Sequence, residues 1–152
     1  MAHVPVLLDA VLALLPPTAR MIDGTLGAGG HTRALLDAGA GMVLGLDVDP
    51  NALALARAAL QAYGERAIIR HASYATMAEE AYKLGWQGVG GILLDLGVSS
   101  MQLDTAARGF AFMKDGPLDM RFDPQGSRPT AAEIVNLWDE GELADVFFRY
   151  GE

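Results

Sequence analysis

Four short apolar runs, three of them closing on an aspartate, constrain this chain more than any other feature. They are residues 19 to 23 ending in Asp23, Met42-Val43-Leu44-Gly45-Leu46-Asp47, Ala67-Ile68-Ile69-Arg70, and Gly91-Ile92-Leu93-Leu94-Asp95. Segments of helical character separate them: His31 to Ala38, the alanine- and leucine-rich stretch 50 to 63 opened by Pro50, and a stretch N-capped by Ser73 that runs to Leu84. Strands alternating with helices imply a parallel sheet with right-handed crossovers. Ligands on such a sheet lie at the carboxyl ends of the strands, where Asp23, Asp47 and Asp95 fall. An amphipathic segment, Val6 to Leu15, precedes the first strand and stops at Pro16-Pro17, and it is expected to pack on the sheet.

The first strand runs into Asp23-Gly24-Thr25-Leu26-Gly27-Ala28-Gly29-Gly30-His31, and Asp47 follows Gly27 by twenty residues. Glycines let a backbone approach a ligand closely, and an acid at that distance, on the tip of the next strand, can accept both hydroxyls of a ribose. The pattern reads as a nucleoside-cofactor pocket. A dinucleotide fingerprint needs a third glycine where this chain has Thr32. The acid-then-glycines spacing instead fits the loop of S-adenosylmethionine methyltransferases, whose cationic ligand favours acidic neighbours. Other readings stay open at single residues. Asp23 is also explained by backbone N–H groups of its own turn, His31 by a polar first helical turn, and Tyr74 by packing as well as by stacking on adenine.

Composition sets outer bounds. With 51% hydrophobic and 20% charged residues in 152, the chain can bury one substantial α/β core. It contains no cysteine, which removes disulfides, a thiolate nucleophile and zinc–thiolate sites. The start Met1-Ala2-His3-Val4-Pro5 lacks the basic and apolar regions of a signal peptide, and no run is apolar enough to span a membrane, so a cytoplasmic location is expected. The net charge is -8, and neither the first hundred residues nor the rest is basic, so electrostatics alone does not suggest nucleic acid.

After Ser100 the alternation stops, giving a reading of 1–100 as the sheet domain and 101–152 as a separate, helical beginning. The blocks His3-Val4-Pro5-Val6-Leu7-Leu8, Asp23 to His31, Gly91 to Ser100, Gln102-Leu103-Asp104, and Arg108-Gly109-Phe110-Ala111-Phe112 through Asp115-Gly116-Pro117-Leu118-Asp119-Met120-Arg121 together resemble the bacterial MraW/RsmH family. These are small-subunit (16S) ribosomal RNA (cytosine-N4)-methyltransferases, and the resemblance covers essentially the whole chain in order.

That resemblance implies a Rossmann-like class I S-adenosylmethionine methyltransferase fold, here a truncated parallel sheet followed by the start of a helical insert domain. It implies methylation of the exocyclic amine of a decoding-region cytosine, in ribosomal RNA within the assembling 30S subunit. Carried over by position, Gly29, Gly30 and His31 in the loop, Asp47, Tyr74, Asp95 and Gln102 contact the cofactor, and no metal is involved. The chain is expected to be an amino-terminal half that is inactive alone. Asp95 is the first candidate to accept a hydrogen bond or proton from the amine, ahead of Ser99 and Ser100. The family of base amino-methyltransferases often has a polar-Pro-Pro-aromatic motif here, whereas this chain has Asp95-Leu96-Gly97-Val98. Arg108, Lys114, Arg121 and Arg128, interleaved with Phe110 and Phe112, are candidates to touch RNA, with the alternative that the two rings belong to the insert's core and Arg121 pairs with Asp119 or Asp123. Two rival readings are a nicotinamide-dependent oxidoreductase and a non-catalytic nucleoside-binding module of ribosome assembly.

Overall fold

The structure, a computed structural model, describes residues 5–151. His3 and Val4, which begin the amino-terminal motif, lie outside the described residues. The chain divides into two compact units, residues 1–96 and 97–152.

In the first unit, helix α1 (Leu8–Leu14) precedes β1 (Arg20–Asp23), α2 (Gly30–Asp37), β2 (Met42–Asp47), α3 (Pro50–Leu60), β3 (Ala67–His71), α4 (Met77–Lys83) and β4 (Gly91–Leu93). The strands form one parallel sheet in the order β3-β2-β1-β4. Asp49 caps α3 by accepting the Asn51 N–H at 2.9 Å, with Pro50 at the first helical position, where a missing N–H costs nothing. Arg66 closes the end of α2 and the turn after it by donating to the Leu36 and Ala40 carbonyls at 2.9 and 2.7 Å.

Side chains alternate across the sheet and so build a core on each face. Met21 and Val43 meet Leu35 and Leu36 of α2 and Leu53, Ala56 and Leu60 of α3, with Leu12 and Leu15 packed alongside. Ile22, Leu44 and Leu46 face the other way, onto Ala81 of α4 and Trp86. The centre of β2 carries Gly45 because Leu26 occupies the space above it: a Cβ there would stand 2.6 Å from the Leu26 Cδ1.

Two expectations from sequence change. The run 91–95 reads as a buried strand, yet β4 is three residues long, and Ile92 and Leu94 are 44% and 40% exposed. Among the described residues it pairs with β1 alone, and Leu15 and Met21 crowd Gly91 while Ile92 stays open. The amphipathic segment starts later than its pattern, at Leu8, because Leu7 takes φ +51°. That left-handed conformation costs an ordinary side chain about 1–2 kcal/mol.

In the second unit, α5 (Ser100–Asp104), α6 (Ala131–Leu137) and α7 (Glu140–Tyr150) are joined by irregular chain, and each starts with a capping box: Ser99 with Gln102, Thr130 with Glu133, Asp139 with Glu142. Arg108, 8% exposed, donates through Nη2 to the carbonyls of Arg121 and Phe122. Arg121 grips Asp119 with two parallel bonds of 3.0 and 2.8 Å and also donates to the Gly126 carbonyl. Phe110 meets Phe122 edge to face at 5.6 Å.

Candidate functional site: the carboxyl rim of the sheet

Register explains how the three aspartates differ. Asp23 is level with Gly45 of β2 and Leu93 of β4, so Asp47 and Asp95 both lie two residues further along, about 6–7 Å towards the rim. Asp23 has no exposed surface at all. It accepts the Thr32 hydroxyl at 2.7 Å and the Thr25 N–H at 3.2 Å. Burial pushes its carboxyl above the ordinary aspartate range, and the Thr32 and Thr25 bonds oppose that shift only in part. Asp23 is therefore the internal anchor of the loop, as the alternative reading of its own turn allowed, and it offers no surface to a ligand.

Asp47 is half-buried at the tip of β2 and holds two main-chain amides. One carboxylate oxygen accepts the Gly27 N–H at 2.7 Å and the other the Asp49 N–H at 2.9 Å. Charge-assisted bonds of this length are among the stronger ones available to a loop. Each oxygen keeps a further lone pair, which leaves Asp47 able to accept hydroxyls while fixing the loop beside it.

The loop glycines have separate causes. Gly27 and Gly29 sit at φ +54° and +84°, a region that penalises any Cβ. Gly24 and Gly30 are bare because neighbours crowd them: a Cβ on Gly24 would lie 2.9 Å from the Cβ of Tyr74, and one on Gly30 2.5 Å from the Cγ of Pro5. The fold itself accounts for all four, and three of their amides are already paired: Gly24 with the Leu93 carbonyl, Gly29 with the Leu26 carbonyl and Gly27 with Asp47.

Around this loop the structure gathers residues distant in sequence. Tyr74 follows β3 directly, in a short turn that Ser73 caps by accepting the Ala75 N–H; this turn precedes α4, which itself begins only at Met77. The Tyr74 ring is 45% exposed beside Gly24. The Asp95 N–H donates to the Thr25 hydroxyl at 2.7 Å, which ties the end of β4 to the loop. His31 is buried, its Nε2 donating to the Val6 carbonyl at 3.0 Å and its Nδ1 lying 4.0 Å from the half-exposed Asp95 carboxylate. Thr25, Thr32 and the Val6 carbonyl have no motif of their own, and nothing in the sequence marks contacts of this separation.

Gln102 belongs to the second unit. Its side-chain oxygen accepts the Ser99 N–H at 2.8 Å, which makes it half of the α5 capping box. The basic residues proposed for RNA divide in the same way: Arg108 and Arg121 are engaged inside their own unit, and Lys114 donates to the Asp104 carbonyl. Among the described residues no cluster of His, Cys, Asp and Glu is built to hold a metal ion, and no helix is long and apolar enough to cross a membrane.

A nucleoside cofactor fits this rim. An acid with spare lone pairs stands at the tip of β2, a half-exposed aromatic ring follows β3, and the glycine loop runs beside both. Comparison with known families agrees with that geometry, since the model of the MraW methylase family matches residues 1–152. The chain belongs to the MraW methylase family. Among MraW-family relatives named ribosomal RNA small subunit methyltransferase H, that of Oleidesulfovibrio alaskensis is 48% identical over 99% of this chain and 48% of its own length. The one from Thermomicrobium roseum is 51% identical over 99% of this chain and 47% of its own. The chain thus spans about half the length of the curated relatives it matches. Membership and the four-stranded parallel sheet together give the Rossmann-like class I methyltransferase fold.

Proposed function

We propose that this chain supplies the cofactor-holding half of an S-adenosylmethionine-dependent methyltransferase that acts on the N4 amine of a cytosine in the decoding region of 16S ribosomal RNA, within the assembling 30S subunit. The observation that carries the reading is the brace between the Gly27 N–H and the Asp47 carboxylate, twenty residues apart. It fixes a glycine loop and a hydroxyl acceptor in one geometry before any ligand arrives. In this reading Asp47 takes the ribose hydroxyls, Tyr74 lies on the adenine, Gly29, Gly30 and His31 contact the cofactor from the loop, and Gln102 is a further cofactor contact. Residues 101–152 begin a helical insert. The setting is the bacterial cytoplasm, and relatives named for ribosomal RNA support the substrate class.

When bound, the cofactor supplies an electrophilic methyl group on sulfur. The chain's own residues then have to orient and deprotonate. An amine conjugated with its ring is a poor nucleophile, and an acceptor at the end of β4 helps to localise its lone pair. Asp95 is that acceptor, its main chain fixed by the Thr25 hydroxyl, and it takes the proton the nitrogen sheds. The target base has to leave its stack to reach such a rim.

Calorimetry of the 152-residue chain tests the cofactor part. S-adenosylhomocysteine should bind, NADH should not, and Asp47→Ala should weaken S-adenosylhomocysteine by tenfold or more, the effect of losing charge-assisted bonds. Preference for NADH would turn the reading into an oxidoreductase. Transfer of labelled methyl to undermodified small subunits by the longer protein tests the substrate part, and cofactor binding without transfer would leave a non-catalytic assembly module.

A further inference from the structure

We propose that His31 is a positioning residue whose ring latches a strap, Pro5 to Leu7, onto the glycine loop, so that the loop is clamped from two sides: by Asp47 at Gly27 and by the strap at Gly30. The inference rests on the reading of the loop as a cofactor site and names a further element that sets its pose.

The side chains of Val6 and Leu7 do not hold the strap. Val6 and Leu7 are 56% and 72% exposed, and Leu7 carries the strain of a positive φ that burial does not offset. Strained backbone persists where its surroundings over-determine it. Two contacts do so here. The Pro5 ring lies against the bare α-carbon of Gly30, where a Cβ would meet its Cγ at 2.5 Å. One residue on, the His31 ring donates from Nε2 to the Val6 carbonyl at 3.0 Å. Because a carbonyl only accepts, that bond assigns a proton to Nε2, and Nδ1 lies 4.0 Å from the Asp95 carboxylate. The same ring therefore joins the strap to the start of α2, with the end of β4 beside it. A stretch containing Gly27, Gly29 and Gly30 has almost no side chains to hold it, and the strap supplies what those residues lack.

The test is a double-mutant cycle on the 152-residue chain, read by calorimetry with S-adenosylhomocysteine and by amide exchange of residues 30–33 without ligand. Gly30→Ala should push the strap off and weaken binding about tenfold, Pro5→Gly alone should weaken it two- to threefold, and the pair should return to within about threefold of the parent. His31→Ala should match Gly30→Ala, while His31→Gln, whose amide can donate to the Val6 carbonyl, should recover most of the loss. Amides 30–33 should exchange faster in Gly30→Ala and His31→Ala only. If Gly30→Ala does not fold, folding restored by Pro5→Gly supports the clamp, and a pair that stays unfolded overturns it. A pair no better than Gly30→Ala, or a His31→Ala protein that binds like the parent, also overturns it. If the parent chain binds no S-adenosylhomocysteine, the cofactor reading fails; exchange then decides the strap separately, coupled rates supporting it and uncoupled rates overturning it.

Discussion

Replacing Thr32 by Val tests whether the buried Asp23 anchors the glycine loop as an ionisable group. The two side chains are 1% and 0% exposed and share one hydrogen bond of 2.7 Å. Valine keeps the branched shape and removes the donor, so the change isolates that bond. Burial raises the folded-state pKa of Asp23 above its ordinary value, and the Thr32 bond lowers it. The folded state therefore binds this proton more tightly than the unfolded one, and the stability it contributes is complete below the ordinary aspartate range and lost as pH rises through the folded value. Without Thr32 the folded value rises further, so the cost of the substitution grows with pH. Below the folded value, with Asp23 protonated, the loss is that of a neutral hydrogen bond, about 1 kcal/mol; above it, with Asp23 charged, it is about 2–3 kcal/mol. The larger figure lowers Tm by roughly 5–10 °C. Urea titrations followed by circular dichroism from pH 4 to 9 read the difference directly. A loss that is constant or shrinks over that range would refute the anchor.

Three further outcomes follow from single contacts. Gly45→Ala should cost about 1–3 kcal/mol in urea midpoint measurements, because its Cβ would overlap Leu26 in the middle of the sheet. Leu7→Asn should raise Tm by about 2–4 °C in calorimetric scans, since asparagine tolerates a positive φ and the exposed leucine gives up little burial. Arg121→Lys should loosen the second unit at neutral pH in amide exchange at Arg121 and Gly126. The Arg121 guanidinium holds the Asp119 carboxyl below its usual range, so this contribution is present above that range and lost as pH falls through the depressed value. The difference between Arg121→Lys and the parent should accordingly disappear in strong acid.

Apolar runs alternating with helical segments, and glycine spacing, made most of the sheet legible, because strands covered on both faces are apolar along their length and the positive φ at Gly27 and Gly29 calls for glycine. The separate fates of Asp23 and Asp47 were not legible. Both close an apolar run, and only the register, which sets Asp23 level with Gly45, buries one and leaves the other at the rim. Leu94 and Ile92 misled for a related reason: an apolar run states what a strand can bury, while exposure depends on which neighbours cover it. The pairing of Arg121 with Asp119 was legible as the alternative to RNA contact, being two residues apart, whereas the distant carbonyls that hold Arg108 were not. The Thr25 hydroxyl under the Asp95 amide joins residues seventy apart, and no local pattern encodes it.

The acid at the tip of β2 already grips two backbone amides, and this has a kinetic consequence. A molecule arriving there meets a surface that has no search left to make, so encounter should be set by diffusion and orientation. Differences among related ligands should then appear in how long each one stays.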